Sequence, residues 1–254
     1  MHVAASILLP LLLLAGLARA AEGAAAPDSG RFEFHSVREG GAAHRYAVWL
    51  PPGFSSRGEK WPAILFLHGS GECGDDGVKP TRVGLGPSLA AHPERWPYVV
   101  VFPQKPLEDE EWEEREPLVF KVLDDAARRC HVDRARVALA GMSQGGHGAW
   151  MLGARHPERW ACLVPVCGYG RARSVQRRAV QLPVWAFHGL RDDQVDPDDT
   201  RHIVAGLREQ RTQRGLDPDA VHMTLFPDAN HNSWDAAFAS DSLVTWLREK
   251  LGGR

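Results

Sequence analysis

The residues best suited to chemistry lie in Gly141-Met142-Ser143-Gln144-Gly145, a Gly-x-Ser-x-Gly pattern. An apolar β-type run, Val137–Ala140, precedes the pattern, and a helical pattern, Gly145–His156, follows it. A serine on a tight strand-to-helix turn has a strained backbone that projects its hydroxyl, and the helix that follows turns its positive end toward a developing oxyanion. The pattern therefore predicts that Ser143 is a nucleophile, with a structural glycine-rich turn as the alternative.

A carboxylate and a histidine follow Ser143 in chain order. The β-type run Val184–Phe187 ends at His188-Gly189, and Asp192 comes three residues after that glycine. In open α/β sheets, functional side chains gather beyond the carboxyl ends of the strands. Asp192 is therefore the predicted acid, and Asp193 and Asp196 are competing carboxylates in the same loop.

The general base is expected to be His231. Of the 12 histidines in the chain, His202 falls in a helical pattern and His222 in a β-type run, whereas His231 lies in a polar loop after the last β-type run. A histidine placed there can take the proton of Ser143 and return it to the leaving group, while Asp192 holds its tautomer. Two backbone N–H donors must bind the oxyanion, and the predicted pair is Gln144 and Ser70, the latter in the loop after the third strand.

Apolar β-type runs alternate with helical patterns along the whole chain, which is typical of an α/β fold with a mostly parallel sheet of about eight strands flanked by helices. The predicted strands are Phe32–Val37, Tyr46–Leu50, Ala63–Leu67, Tyr98–Phe102, Val137–Ala140, Leu163–Val166, Val184–Phe187 and Val221–Phe226. The first two are expected to be antiparallel. The predicted helices are Gly86–His92, Pro117–Cys130, Gly145–His156, Pro197–Arg214 and Asp235–Leu251.

The N-terminus differs from the rest of the chain. An apolar run, Ile7–Leu17, is followed by Ala18-Arg19-Ala20, which is typical of a signal peptide and its cleavage site. The sequence therefore predicts a signal peptide at 1–20, a disordered Ala/Gly-rich leader at 21–30 and one catalytic domain at 31–254, with export to the periplasm or the medium. An uncleaved N-terminal anchor is the alternative.

Composition limits the possible partners. The chain has 254 residues with a formal net charge of −2, which gives no indication of nucleic-acid binding or of stable membrane insertion after signal cleavage. It contains neither a Gly-x-x-x-x-Gly-Lys-Ser/Thr loop nor a His-Glu-x-x-His pattern, and we predict no cofactor and no metal. The four cysteines could be buried free thiols or, in an exported protein, one or two disulfides; they are Cys73, Cys130, Cys162 and Cys167.

With these residues placed, the chain resembles exported esterases of the α/β-hydrolase superfamily, the branch with polyhydroxybutyrate-depolymerase-like, feruloyl-esterase-like and predicted-peptidase members. The matching segments are Leu67–Glu72 with Gly74–Asp76, Phe102–Gln104, Gly141–Gly146, His188–Val195 and His231–Trp234. The resemblance implies an α/β-hydrolase fold and a Ser–Asp–His triad. It also suggests that Trp112 lines a substrate pocket, although a solvated loop is the favoured reading of the acidic segment Glu108–Glu116. Trp234 and Glu72 are two further candidate pocket residues.

Two positions depart from this branch. Similar proteins tend to have Arg where this chain has Cys73, and Cys where it has Lys105. A disulfide or salt link that relatives form at those positions is therefore not expected here.

The segment between the predicted strands Leu163–Val166 and Val184–Phe187 is short, so we expect a minimal lid and an open site. Such a site favours short-chain, aryl or polyester-derived esters over long-chain lipids. The same segment contains Arg171, Arg173, Arg177 and Arg178, which form either a solvated face or a clamp for an anionic substrate.

The leading prediction is a serine carboxylic ester hydrolase that acts through an acyl-enzyme. A serine peptidase is the runner-up, and a non-catalytic binding protein on this fold is a third reading.

Overall fold

The computed structural model describes residues 29–252, which form one sheet of eight strands with helices on both faces. The strands are β1 (Arg31–Glu39), β2 (Ala42–Leu50), β3 (Trp61–Leu67), β4 (Val99–Pro103), β5 (Val132–Met142), β6 (Cys162–Val166), β7 (Val184–Gly189) and β8 (Val221–Phe226). Every predicted strand is present, with ends that differ by a few residues.

The strands are arranged in the order β1-β2-β4-β3-β5-β6-β7-β8. Strand β2 runs antiparallel to both β1 and β4, and all the other neighbours are parallel. The predicted mostly parallel sheet is therefore confirmed. Because the strands from β4 to β8 are parallel, their carboxyl ends lie along one edge, and the loops that follow β3, β5, β7 and β8 meet there.

Within residues 29–252, seven α-helices cover the two faces of the sheet. They are α1 (Leu85–Ala91), α2 (Glu116–Arg129), α3 (Gln144–Arg155), α4 (Ala172–Arg178), α5 (Pro197–Gln213), α6 (Trp234–Ala239) and α7 (Asp241–Leu251). One apolar core lies under α2, α3, α4 and α5, and a second lies under α1, α6 and α7. Both faces of the central strands are therefore buried, which explains why β3, β4 and β6 are continuous apolar runs.

The structure corrects the prediction of one helix over Asp235–Leu251. The chain instead forms α6 and α7, separated at Ser240, whose backbone is extended (φ −70°, ψ 120°). The Ser240 side chain accepts a hydrogen bond from the N–H of Leu243 at 3.3 Å, so it caps the start of α7. The helical pattern is continuous, but the local Ser-Asp start signal ends one helix and begins the next.

The segment between β6 and β7 contains only the seven-residue helix α4, which was not predicted as a helix. This short insertion is consistent with a minimal lid over the sheet edge.

Within residues 29–252, the helices are too short or too polar to cross a bilayer. The predicted signal peptide, 1–20, and all but the last two residues of the predicted leader, 21–30, lie outside the described residues.

Candidate active site

Ser143 occupies the turn between β5 and α3. Its backbone has φ 54° and ψ −120°, a region that residues with a side chain rarely adopt. The turn is fixed from both sides, because the N–H of Ser143 donates to the Val166 carbonyl and its own carbonyl accepts from the N–H of His147, both at 2.9 Å. The strained position keeps the serine hydroxyl at the carboxyl edge of the sheet.

The glycines on either side of Ser143 are required by close packing. A Cβ on Gly145 would lie 2.0 Å from the carbonyl oxygen of Leu67, and a Cβ on Gly141 would lie 2.2 Å from that of Gly145. No side chain fits at such distances. The backbone of α3 therefore passes directly against the end of β3, which brings the Ser143 turn close to the loop that follows β3.

His231 lies in the loop after β8, and Asp192 lies in the loop after β7. The Nε2 atom of His231 is 2.9 Å from the Ser143 hydroxyl, and its Nδ1 atom is 2.8 Å and 3.0 Å from the two carboxylate oxygens of Asp192. In this geometry Nδ1–H donates to Asp192 and the serine hydroxyl donates to Nε2. The three side chains, which are up to 88 residues apart in the chain, form one continuous set of hydrogen bonds.

The environment of Asp192 favours its ionised form. Its side chain has no exposed surface. Burial alone would raise the pKa of this carboxyl, but the N–H groups of Val195 and Gln194, each 3.0 Å away, and the His231 ring outweigh it, so that the pKa is lowered. The competing carboxylates lie elsewhere: Asp193 is exposed, and Asp196 caps the start of α5. Asp192 is therefore an anion placed to stabilise a positive charge on His231.

His188, at the end of β7, is a part of this site that sequence reasoning missed. Its Nε2 atom lies 3.1 Å from Asp192 and 3.1 Å from the Val195 carbonyl, and its Nδ1 atom lies 2.8 Å from the Thr200 hydroxyl. Burial lowers the pKa of this fully buried ring. A neutral His188 can therefore donate from Nε2 and hold the carboxylate in place. Its position four residues before Asp192, in the matching segment His188–Val195, was the signal in the sequence that could have indicated this role.

Two backbone N–H groups at this edge have no acceptor within the described residues. They belong to Gln144, the first residue of α3, and to Ser70, the first residue of a short 3₁₀ helix (Ser70–Glu72) after β3. The first N–H groups of a helix have no partner within the helix. The side chain of Gln144 points away, since its amide donates to the carbonyls of Glu108 and Glu110 at 2.9 and 3.1 Å.

The loop after β3 is held by the end of β4. The Gln104 amide donates to the carbonyl of Glu72 at 2.9 Å and accepts from the N–H of Gly77 at 2.6 Å. Nearby, Nε2 of His68 accepts from the N–H of Lys105 at 3.2 Å, and Nδ1 donates to the Gly69 carbonyl at 2.6 Å. Burial lowers the pKa of His68 to about 3, so this ring stays neutral and serves as a fixed structural link.

Trp112 packs against the same loop, the one that follows β3, through contacts with His68. Its side chain has no exposed surface, its indole N–H donates to the His68 carbonyl at 3.0 Å, and its ring packs edge-on against the ring of His68. This corrects the expectation that Trp112 lines a substrate pocket, because a side chain without exposed surface cannot contact a substrate in this conformation. The reason is that Trp112 fills the space left by Gly148 on α3, where a Cβ would lie 2.7 Å from the tryptophan.

The other two expected pocket residues lie beside the serine. The ring of Trp234, partly exposed, packs edge-on against His231 with 5.5 Å between ring centroids. The carboxylate of Glu72 lies 3.2 Å from the Cβ position of Gly69, which itself is 3.4 Å from the Cβ of Ser143. Burial raises the pKa of the Glu72 carboxyl. Both side chains therefore border the space in front of Ser143.

The two positions that depart from the resembling proteins face each other. Lys105 is fully buried, and its ammonium group donates to the Cys73 sulfur at 3.3 Å and to the Leu107 carbonyl at 2.5 Å. The lysine therefore joins the loop after β3 to the loop after β4.

All four cysteines are buried and unpaired. Burial raises the pKa of Cys130 to about 11 and that of Cys167 to about 12, so these thiols stay protonated.

Two features of the region resemble parts of cofactor or metal sites, but the surroundings of each differ from those of such sites. Gly69, Gly71 and Gly74 have the Gly-x-Gly-x-x-Gly spacing of dinucleotide-binding loops, but a three-residue 3₁₀ helix stands where such a loop needs a full helix N-terminus. Potential ligand atoms of Cys167, Asp192 and His231 lie within 4.8 Å of one another. There, however, the carboxylate and the imidazole are already hydrogen-bonded to each other.

No family model matches the chain, and the search of curated proteins gave no match. Similar solved structures include a thermostable esterase, with a TM-score of 0.73 and 24% identity over 86% of this chain. This chain spans 62% of the length of that esterase. The feruloyl esterase module from Clostridium thermocellum, an S954A mutant complexed with sinapinate, has a TM-score of 0.72 and 16% identity, covering 90% of this chain and 91% of the module.

A third similar structure is an acylaminoacyl peptidase from Pyrococcus horikoshii, with a TM-score of 0.66 and 15% identity, covering 89% of this chain and 42% of the peptidase. At these identities the likeness concerns the fold. The strand order, the strained serine turn between β5 and α3, and these similar structures together show that the chain has the α/β-hydrolase fold.

Proposed function

We propose that this chain is a serine carboxylic ester hydrolase that acts through an acyl-enzyme on Ser143. The observation that carries the proposal is the unbroken hydrogen-bond set from the Ser143 hydroxyl through His231 to Asp192. Its three members lie on a strained turn and in two loops at the carboxyl edge of one sheet. Structural likeness to esterases supports the proposal at the level of the fold.

In the proposed mechanism, His231 takes the proton of Ser143 as the hydroxyl attacks the ester carbonyl, and the imidazolium that forms is stabilised by Asp192. The carbonyl oxygen becomes an oxyanion, which the N–H groups of Ser70 and Gln144 bind. His231 then gives its proton to the departing alcohol. Water, activated by the same histidine, releases the acid from the acyl-enzyme.

The proposed substrate class is supported by the short segment between β6 and β7. Only α4 is inserted there, which leaves little chain to form a lid and favours short-chain, aryl (feruloyl-like) or polyester-derived esters. Trp234 and Glu72 border the space in front of the serine and are the proposed substrate contacts. The proposal includes export, and N-terminal sequencing of protein recovered outside the cytoplasm should then begin near Ala21.

A panel of substrates tests the reaction class. It contains p-nitrophenyl acetate to octanoate, a feruloyl ester, polyester film and peptide anilides, each assayed with the wild type and with Ser143→Ala. We expect turnover of short esters that is lost in the variant, together with labelling of Ser143 by a fluorophosphonate probe. Faster turnover of anilides than of esters would identify a peptidase instead. Absence of both turnover and labelling would leave a binding protein on this fold.

The oxyanion donor on the β3 loop can be tested at one atom. The backbone before Ser70 is extended (Gly69 φ −78°, ψ −177°), and Ser70 is the first residue of a 3₁₀ helix, so proline is tolerated at position 70 and removes only the N–H. Ser70→Pro should lower kcat by about 10²–10³-fold, as loss of an oxyanion donor does. Ser70→Ala is the matched control and should be nearly silent. Equal effects of the two substitutions would exclude the N–H of Ser70 as a donor.

A further inference from the structure

A cavity of about 610 Å³ lies between α3, α4 and α5, and its wall is built mainly of arginines. We call it the arginine pocket. It is lined by Arg155 at the end of α3, Arg171, Arg173, Arg177 and Arg178 on and beside α4, and Arg214 at the end of α5. Among the described residues no aspartate or glutamate lines it, although the carboxylate of Glu116 contacts Arg155 at 3.4 Å. Its volume lies within the range of about 300–1,000 Å³ that is usual for small-molecule sites.

The arginines of this pocket are set apart by their number around one cavity. Many arginines elsewhere stand next to carboxylates, as Arg129 does with Asp125 at 2.7 Å and Arg136 with Asp133 at 2.8 Å, but single arginines without an ion pair, such as Arg45, also occur within residues 29–252. In the pocket, the side chains of four neighbouring arginines, those on and beside α4, have no ion pair and no hydrogen bond to the described residues. The pocket therefore groups four cations that the described residues do not pair with an anion.

Two of the guanidinium groups are held in position by backbone carbonyls. Arg155 donates to the carbonyl of Glu113 at 2.8 Å and contacts Glu116 at 3.4 Å. Arg214 donates to the carbonyl of Arg177 at 3.5 Å and to the Gln210 side chain at 3.3 Å. Both side chains line the cavity, and each has further N–H groups beyond those used in these contacts. Part of the wall is therefore preorganised before any ligand enters.

Helix dipoles do not account for the charge. The C-terminal ends of α3, α4 and α5 converge here, and each contributes about half a negative charge, or roughly −1.5 in total. The Glu116 carboxylate, which contacts Arg155, adds one negative charge, and the six arginines outnumber these together. Moreover, Arg171 and Arg173 lie at the N-terminal end of α4, where the dipole disfavours a cation. All six arginines are exposed, so the excess positive charge is accessible to an anion from solution.

The pocket is separate from Ser143. Along α3, Met151 and Arg155 in the pocket wall follow the serine by eight and twelve residues, which places them about 12 and 18 Å further along the helix axis. A small ligand bound there would not touch the serine. The pocket is therefore distinct from the region around Ser143, and any function of it does not depend on the proposed ester hydrolysis.

We propose that the arginine pocket binds a small molecule with two or more phosphoryl groups. Guanidinium groups form paired, charge-assisted hydrogen bonds with phosphate oxygens. Each phosphoryl group brings about −1.5 to −2 charges and three acceptor oxygens in a small volume. A condensed phosphate therefore supplies the charge density that six guanidinium groups around one cavity require.

The test is calorimetric titration of the full chain with sodium tripolyphosphate at low ionic strength. One variant combines Arg173→Gln, Arg177→Gln and Arg178→Gln, which keeps good helix formers on α4. Its matched control combines Arg38→Gln, Arg128→Gln and Arg191→Gln, three exposed arginines outside the pocket, and has the same change in net charge. We expect one tripolyphosphate per chain, bound at least about tenfold more weakly by the pocket variant and within about twofold by the control.

Inorganic monophosphate should bind at least about tenfold more weakly than tripolyphosphate, since it offers one phosphoryl group. A second variant, Arg155→Gln with Arg214→Gln, removes the groups on α3 and α5 and should also weaken binding, which guards against a local effect on α4. Absence of binding, equal loss in the pocket variant and the control, or equal affinity for the two phosphates would overturn the proposal. Turnover of a neutral short ester is expected to be the same in all these variants, so the binding result is independent of the ester hydrolase proposal.

Discussion

Two buried histidine–carboxylate pairs lie beside the N-terminal end of α3, and they are built from the same parts. In the first, His231 contacts Asp192 at 2.8 Å through Nδ1 and reaches the Ser143 hydroxyl through Nε2. In the second, His147, one helical turn after Ser143, contacts Glu113 at 3.1 Å through Nε2 and the Tyr169 carbonyl at 3.1 Å through Nδ1. Both histidines are less than a tenth exposed.

The difference lies in the third group. The ring of His147 meets only acceptors, because Glu111 stands 3.8 Å from the same nitrogen as Glu113. Burial opposes a charge on this ring, but the carboxylate of Glu113 outweighs it and raises the pKa of His147. The ring of His231 meets a hydroxyl, which can give up its proton. A histidine–carboxylate pair is therefore not in itself a sign of catalysis, and the group on the far nitrogen decides whether the histidine can move a proton.

The largest expected difference between the pairs is in turnover. Asp192→Asn should lower kcat by about 10⁴-fold, as in the best-studied triad, because the amide no longer holds the tautomer or stabilises the imidazolium. Glu113→Gln should leave kcat within about twofold, since Glu113 does not contact the serine set. Both are measured on p-nitrophenyl acetate with folding checked by circular dichroism.

Asp193→Asn is the matched control, because Asp193 is the exposed neighbour of Asp192 and undergoes the same chemical change. It should behave like the wild type. If Asp193→Asn were the damaging change, the assignment of Asp192 as the acid would be wrong.

A smaller effect on turnover is expected at His188, which we regard as a positioning residue for Asp192. His188→Leu removes a donor to a charged group, a contact worth about 1.5–3 kcal/mol, so kcat should fall by roughly 10–150-fold while KM changes little. His188→Gln should restore part of the loss, because its amide can donate. His202→Gln, on the exposed face of α5, is the control. A fall in stability without any change in kcat would show that His188 serves only the fold.

The smallest effect is a pH-dependent stability of the second pair. Burial and the His147 hydrogen bond act in opposite directions on Glu113, and the net result is a lowered pKa, whereas the pKa of His147 is raised. The contribution of Glu113 to the free energy of unfolding is fully present above the ordinary glutamate pKa of 4.5. It is lost as the pH falls through the lowered pKa of Glu113. The contribution of His147 to the free energy of unfolding is complete below pH 6.5, the ordinary histidine pKa. It is lost as the pH rises through the raised pKa of His147.

The loss of stability in Glu113→Gln should therefore be greatest between about pH 4.5 and 6.5, at about 1.5–3 kcal/mol, and should shrink on either side. Urea unfolding at several pH values measures it. Glu114→Gln, an exposed neighbour, is the control with the same change in charge. A loss that is independent of pH would mean that the two groups are not an ion pair.

Much of the fold was predictable because its signals are local. Continuous apolar runs indicate strands buried on both faces. The sequence around Ser143, a strand, then Gly-x-Ser-x-Gly, then a helix, predicts a tight turn without reference to distant residues. The final helical stretch was predicted less well, since the pattern of apolar residues runs through Ser240 and only the capping geometry divides it. The position of Trp112 was missed for a similar reason: whether a tryptophan in an acidic segment is buried depends on the glycine opposite it on α3.

The sequence by itself determined the strained turn at Ser143, the chain order of Ser143, Asp192 and His231, and the edge of the sheet at which they lie, because each depends on residues within one strand and the loop that follows. Only the tertiary structure decided which of three neighbouring carboxylates faces His231, that His188 holds it, that Lys105 lies against Cys73, and that six arginines from three helices share one cavity. These contacts join residues from separate elements. Strand order and helix packing fix their distances, and neither can be read from the spacing of residues along the chain.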